Sequence, residues 1–225
     1  LNAFRRAFYE ELAAVLAPDR EPLDAKAVPV PTFAVQQGRQ TAVIVTGKAL
    51  PKDADIVIWK AEDMTRMTPS AGAWLYLPPL LTGADEAAIA PFLDAFAGVY
   101  CEGTYGIPFA RKYHKKLFLG TGCNFSNRIA VTAALHEAQY VALSKELTLS
   151  EQDVLAAEGT FALSAGDLKV MDLCYCPFGK TCRTCDKRTR YTMTDASGRA
   201  FPLRRYRAAE GCRFEVYNCA PLAAG

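Results

Sequence analysis

Apolar positions in this chain follow two rhythms. Over Asn2–Leu16 they recur at helical spacing, with Arg5 and Arg6 set between Phe4 and Phe8, and the pattern predicts an amphipathic helix. Residues 17–31 carry Pro18, Pro22, Pro29 and Pro31, each of which fixes φ and removes a backbone donor, so the stretch reads as a linker. From Ala42 the rhythm changes. Short runs rich in β-branched and aromatic residues recur at Ala42–Val45, Asp55–Trp59, Ala73–Leu77, Gly98–Tyr100, Leu117–Leu119, Tyr140–Leu143, Thr160–Leu163 and Leu168–Met171. They are apolar nearly throughout, as parallel strands covered on both faces must be. Helical patterns lie between several of them, over Ala84–Ala97, Phe125–Ala138 and Ser150–Ala157. Ser150 followed by Asp153 predicts an N-cap with an acidic first turn, and Ser126 is a candidate cap for the helix that follows Ser126.

Alternating strands and helices predict an α/β fold, and eight strands predict a TIM-like parallel barrel. The gap between Val45 and Asp55 leaves little room for a crossover helix, so the barrel is expected to be incomplete or distorted over its first units. An open doubly wound sheet is the alternative, but no G-x-G-x-x-G turn follows the first strand. After Met171 the rhythm breaks. Tyr191–Asp195, the turn Ala196–Gly198, Phe201–Tyr206 and Phe214–Tyr217 predict a small antiparallel β appendage. The expected organisation is therefore an N-terminal helix and Pro-rich linker over residues 1–31, the barrel over 32–173 and a Cys-rich metal-binding tail over 174–225.

Composition adds little bias. Of 225 residues 51% are hydrophobic and 22% charged, an ordinary globular balance, and a net charge of +2 favours neither nucleic acid nor a membrane surface. No apolar run approaches the roughly 20 residues of a membrane span, and no signal peptide opens the chain, so a reducing, cytoplasmic setting without a membrane partner is expected. The chain opens on Leu1 rather than Met, and its first helix reads as continuing an upstream domain of the same protein.

The cysteines change the picture. Six of the eight crowd into the last quarter, as Cys174, Cys176, Cys182, Cys185, Cys212 and Cys219. In a reducing compartment such crowding points to metal more than to disulfides, although free thiols with one disulfide are the plain alternative. Cys182-x-x-Cys185 lets two thiolates meet one centre across a tight turn. Cys176 before Pro177 and Cys212 after Gly211 could complete a set of four, and spacing alone does not separate them from Cys174 and Cys219. Four thiolates suit tetrahedral zinc or an iron–sulfur cluster. Lys180, Arg183 and Lys187 nearby would favour the thiolate form.

A second constellation lies at the predicted C-terminal ends of strands, where parallel barrels carry their active sites. It comprises Glu102, Asn124, Asn127, Ser144, Lys145 and Glu146, each of which could equally be a solvated loop residue or a cap. Cys101 and Cys123 also fall at strand ends and read as buried structural thiols. His114 and His136, the only histidines, sit away from strand ends, so a Ser–His–Asp or Cys–His triad is poorly supported. His136-Glu137 is not followed by the second histidine of H-E-x-x-H.

Taken in order, these residues resemble the collagenase-like peptidases of family U-thirty-two. Leu1-Asn2-Ala-Phe4-Arg5-Arg6 resembles its L-N-x-x-R-R helix, and Gly120-Thr-Gly-Cys-Asn124-Phe-Ser-Asn127 its L-N-x-x-N segment. Val141-Ala-Leu-Ser144-Lys-Glu146-Leu147-Thr-Leu resembles its L-S-x-E-L stretch. Met171 through Cys176-Pro177 and Cys182, with Asp195, Phe201-Pro202, Cys212 and Asn218, resembles the tail of the longer members. The resemblance implies a TIM-like barrel in a bacterial peptidase or hydrolase. It equally implies a hydroxylation protein acting on RNA or a small aromatic substrate with a 4Fe-4S cluster on four cysteines. Carried over residue by residue, it implies Cys176, Cys182, Cys185 and Cys212 as ligands, with Cys174 and Cys219 as possible extras, and Asn124 and Glu146 as pocket residues beside Glu102. The chain departs from the family at Thr104, where Asn is expected, and at Cys219, and it lacks the shorter members' Glu, His-Gly and Cys signature.

Three readings result. One is an enzyme domain, peptidase by family and iron–sulfur hydroxylase by its cysteines. Another is a non-catalytic accessory barrel with structural zinc. The last is an RNA-contacting tail using Arg183, Lys187, Arg188, Arg190, Arg204, Arg205 and Arg207 with Tyr191 and Tyr206.

Overall fold

Seven of the eight predicted apolar runs pair side by side in chain order, each parallel to the last. The computed structural model describes residues 2–16, 30–33, 40–47, 51, 53–68, 71–179 and 185–222. The strands are β1 (Ala42–Thr46), β2 (Ile56–Lys60), β3 (Trp74–Leu77), β4 (Gly98–Cys101), β5 (Lys116–Leu119), β6 (Tyr140–Ala142) and β7 (Thr160–Phe161). The sheet curls into a half-barrel, consistent with the incomplete barrel expected from the sequence. Strands β2 to β6 are buried on both faces, which is why their sequences are apolar throughout rather than alternating.

Alternate residues sort into two clusters. Trp59, Leu75, Leu77, Val99, Cys101, Leu117, Leu119 and Val141 face the crossover helices. Those helices are α2 (Gly83–Ile89), continued as a 3₁₀ turn over Ala90–Ala95, then α3 (Gly106–Lys112) and α4 (Arg128–Glu137). On the concave face Ile56, Ile58, Trp74, Tyr76, Tyr100, Phe118 and Ala142 form the second cluster. Phe118 is its hub, with ring centroids 5.0 Å from Tyr100, 5.1 Å from Phe161 and 5.5 Å from Tyr140. Burying such a ring stabilises the fold by about 3 kcal/mol.

The eighth run does not close the barrel. It forms β8 (Lys169–Leu173), which pairs antiparallel with β11 (Gly211–Tyr217) in a second sheet ordered β8-β11-β10-β9. The other members are β9 (Arg190–Thr194) and β10 (Ala200–Ala208). The connection over residues 162–168 carries no helix, and a parallel return beside β7 needs a longer crossover than that. The boundary expected at residue 173 thus falls before β8, which belongs with the tail.

Two capping expectations are corrected. Helix α5 (Leu149–Leu155) is capped by Thr148 in a capping box with Glu151, two residues before Ser150. Asn127, not Ser126, caps α4 by accepting from the Ala130 N–H at 2.9 Å. Helix α3 was not predicted.

Residues 1–30 form a separate unit, of which α1 (Asn2–Leu16) is described, with the bounds its periodicity predicts. Of the predicted Pro-rich linker over residues 17–31, residues 17–29 lie outside the described residues. No described helix is long and apolar enough to cross a membrane.

Candidate functional site

Chemistry-bearing residues gather at four places, two at the carboxyl ends of the parallel strands, one between the half-barrel and the second sheet, and one on the second sheet's other face.

Glu102 directly follows β4 and is buried. Its carboxylate accepts from the Tyr76 hydroxyl at 3.2 Å, the Tyr100 hydroxyl at 3.4 Å and the Gly122 N–H at 2.6 Å. The loop after β5 approaches so closely that a Cβ on Gly122 would lie 2.4 Å from the Glu102 carbonyl oxygen, and one on Gly120 would lie 2.5 Å from the Tyr100 ring. Glycine is therefore required at both positions. Burial, reinforced by the Glu102 charge, raises the Tyr76 and Tyr100 phenols well above their usual range. The same causes push the half-buried Cys123 thiol up to about 12, and burial raises the Cys101 thiol. Neither is a nucleophile at neutral pH.

Asn124 adopts the left-handed conformation at φ 55° and accepts from the Ser144 hydroxyl, which itself accepts from the Glu146 N–H at 3.2 Å. This ties the loops after β5 and β6 together. The Asn124, Lys145 and Glu146 side chains are exposed, as are His114 and His136. The sequence-predicted residues thus split, with Asn124, Ser144 and Glu146 linked in one loop contact and Glu102 in a separate buried group.

A buried charge network that sequence reasoning missed sits beside Glu102. Lys60, the last residue of β2, donates to Glu215 at 3.0 Å and to the Tyr217 hydroxyl at 3.1 Å, and its ammonium stands 4.1 Å from the centre of the Tyr76 ring. Glu215 also accepts from Arg204 at 3.0 Å. Lys169 donates to the Tyr76 hydroxyl at 2.9 Å and pairs with Asp172. Burial alone would raise Glu215, but Lys60, Arg204 and Lys169 outweigh it and hold the carboxyl at about 2. Burial lowers Lys60, partly countered by Glu215. The recess left among Lys60, Met64, Tyr76, Arg204, Tyr206 and Glu215 is about 10 Å³, the room one water needs. A second link, Arg213 to Asp85 at 2.6 Å, joins the same face of the second sheet to the start of α2.

The pairing register defines the second sheet's faces. Arg204 with Glu215 and Tyr206 with Arg213 point toward the half-barrel. Leu203 with Val216, Arg205 with Phe214 and Arg207 with Cys212 occupy the opposite face. There Leu203, Phe214 and Val216 form a small apolar cluster with Leu173, Tyr191, Phe201 and Cys212. Phe178 lies over it, its ring 4.7 Å from Tyr191 and 5.7 Å from Phe214. The end of β8, the start of β11 and the approach to β9 meet at one end of this sheet, so the topology brings the segments bearing Cys174, Cys176, Cys185 and Cys212 together. Cys182 lies outside the described residues. Cys219 follows the opposite end of β11, roughly 20 Å from Cys212 at the rise of an extended strand, so the strand separates it from the others. Thiolates on neighbouring loops are the donor set that zinc or an iron–sulfur cluster takes, so these residues fit such a group in the chemistry of their donors. Among the described residues no three His, Cys, Asp or Glu side chains converge closely enough to hold a metal ion.

The basic tail does not present the surface its sequence suggests. Arg204 and Tyr206 are buried against the half-barrel and cannot contact RNA, while Arg188, Arg190 and Arg207 are exposed.

No known protein family, curated protein or solved structure matches the chain.

Proposed function

We propose that this chain is an accessory half-barrel domain of a larger enzyme resembling the collagenase-like U-thirty-two group. Its second sheet holds a structural metal on Cys176, Cys182, Cys185 and Cys212. The observation that carries this reading is the placement of the described cysteine segments at one end of that sheet. Of these, Cys212 lies on the face turned away from the half-barrel. A metal there pins the loop carrying Phe178 over the apolar cluster, and it stands apart from the only buried acid group at the strand ends among the described residues. The half-barrel side is itself filled, since Lys60 is paired with Glu215 and Glu102 accepts from Tyr76, and the recess there leaves room for about one water. Bound zinc supplies folding free energy to a small, loop-rich element rather than chemistry.

Glu102 beneath two tyrosines, at the strand ends where parallel barrels work, favours a second reading. In it the cysteines hold a 4Fe-4S cluster and the domain takes part in hydroxylating RNA or a small aromatic substrate. Peptidase chemistry draws least support, because Cys101 and Cys123 are held neutral and both histidines are exposed.

Metal analysis of anaerobically purified protein separates these. About one zinc per chain, lost in Cys182→Ser, supports the structural reading. A chelator should then raise hydrogen exchange over residues 174–189 while the half-barrel stays protected. Iron with visible absorbance transfers the support to the second reading, and a metal-free chain under all conditions removes both.

A further inference from the structure

We infer that Arg205 is the positioning residue of the cysteine end, a role that rests on the metal reading above. It reaches from β10 across the outward face and fixes three points at once. Its Nε donates to the Arg188 carbonyl at 2.7 Å and one terminal nitrogen to the Lys187 carbonyl at 2.6 Å. The other terminal nitrogen donates to the Cys212 sulfur at 3.0 Å. Lys187 takes a left-handed conformation at φ 56°, and its N–H donates back to the Cys185 sulfur at 3.3 Å. Arg205 therefore ties the segment following Cys185 to the strand that carries Cys212, spanning two of the four proposed ligands with one rigid fork.

The chemistry is specific to arginine. A guanidinium presents planar donors in several directions at once, which a lysine ammonium on a flexible stem cannot reproduce. A donor on a ligand sulfur offsets thiolate charge and orients the ligand, and residues in that position typically govern metal affinity by 10- to 100-fold. Arg204, the neighbour in sequence, points to the opposite face and serves the buried Glu215, so adjacent arginines do unrelated work.

The test is a zinc titration of the whole chain, reduced and metal-free, against a chromophoric chelator. Arg205→Ala should lower zinc affinity by about 10- to 100-fold. Arg205→Lys, which keeps the charge and one donor, should fall between that variant and the wild type. Arg207→Ala removes a charge from the exposed residue opposite Cys212 and should leave affinity within about threefold, since geometry rather than net charge is at stake. Far-UV circular dichroism of each metal-free variant shows that the sheets persist. If wild type takes up zinc and Arg205→Ala stays within about threefold of it, the role assigned to Arg205 is overturned while the metal reading stands. An equal loss in Arg207→Ala also overturns it, in favour of bulk charge. A wild-type chain that binds no zinc overturns the metal reading and the Arg205 role together.

Discussion

At the scale of single residues, Glu215 organises more of the structure than any predicted site residue. It has no exposed surface, and Lys60, Arg204 and the Tyr217 hydroxyl occupy its two oxygens. Its folded pKa of about 2 lies below the ordinary value of 4.5. A depressed carboxyl contributes stability that is fully present above the unfolded value and is lost as pH falls toward the folded one. Stability should therefore decline between about pH 5 and pH 2 by on the order of 3 kcal/mol from this group. Urea titrations across that range measure the slope. Glu215→Gln should cost about 3–5 kcal/mol at neutral pH, because two cations stay buried without their counter-charge, and should flatten the acid limb. An unchanged limb in that variant would assign the slope to other carboxylates.

At the scale of elements, α2 shows how a local signal and a long-range one share a side chain. Thr82 and Asp85 form a capping box, legible as T-x-x-D before an apolar run. Asp85 also accepts from the Ala209 N–H at 2.9 Å and from Arg213, so the helix start is bonded to the β10–β11 turn. Those bonds offset burial and hold its carboxyl below the ordinary range. Thr82→Ala removes only the cap and should cost about 1 kcal/mol. Asp85→Ala strands the buried Arg213 as well and should cost about 3–5 kcal/mol. Equal losses in chemical denaturation would mean that the link to the second sheet carries no weight. The elements that the sequence misassigned failed for definite reasons. Helix α3 is seven residues with Pro108 inside its first turn, too short to display a period. Strand β8 has the composition of a barrel strand, but the chain before it is too short for a crossover.

At the scale of residues 31–225, which form one unit, the half-barrel and the second sheet share an interface of buried ion pairs and hydrogen bonds around an apolar part, where Tyr206 and Ala208 join the half-barrel core. Lys60–Glu215, Arg213–Asp85 and the Arg207 N–H to the Glu62 carbonyl all cross it. Both should then unfold together. Trp59 and Trp74, the only tryptophans, report on the half-barrel, and amide exchange over β10 and β11 reports on the second sheet. Coincident denaturant midpoints are the expected result, and two separated transitions would show the sheets to be independent.

The amino-acid sequence by itself determined most of the local elements, α3 and the place of β8 excepted. Apolar runs between turn residues defined the seven parallel strands, and alternation defined the antiparallel tail. Crowded thiols marked the segments that the proposed metal needs, and Glu102 stood at a strand end as expected. What it could not determine was which face of the second sheet turns inward. Arg213-Phe-Glu215-Val-Tyr217 reads as polar out and apolar in, by the usual rule for a half-covered sheet. The tertiary structure buries both faces, the polar one against the half-barrel, because Lys60, 155 positions before Glu215, supplies a counter-charge that makes burial of that face possible. Pairings over that separation leave no periodic trace. They decided that charged side chains were buried at the interface, that Cys212 stayed on the far side of the sheet, and that Arg204 and Arg205 parted to different tasks.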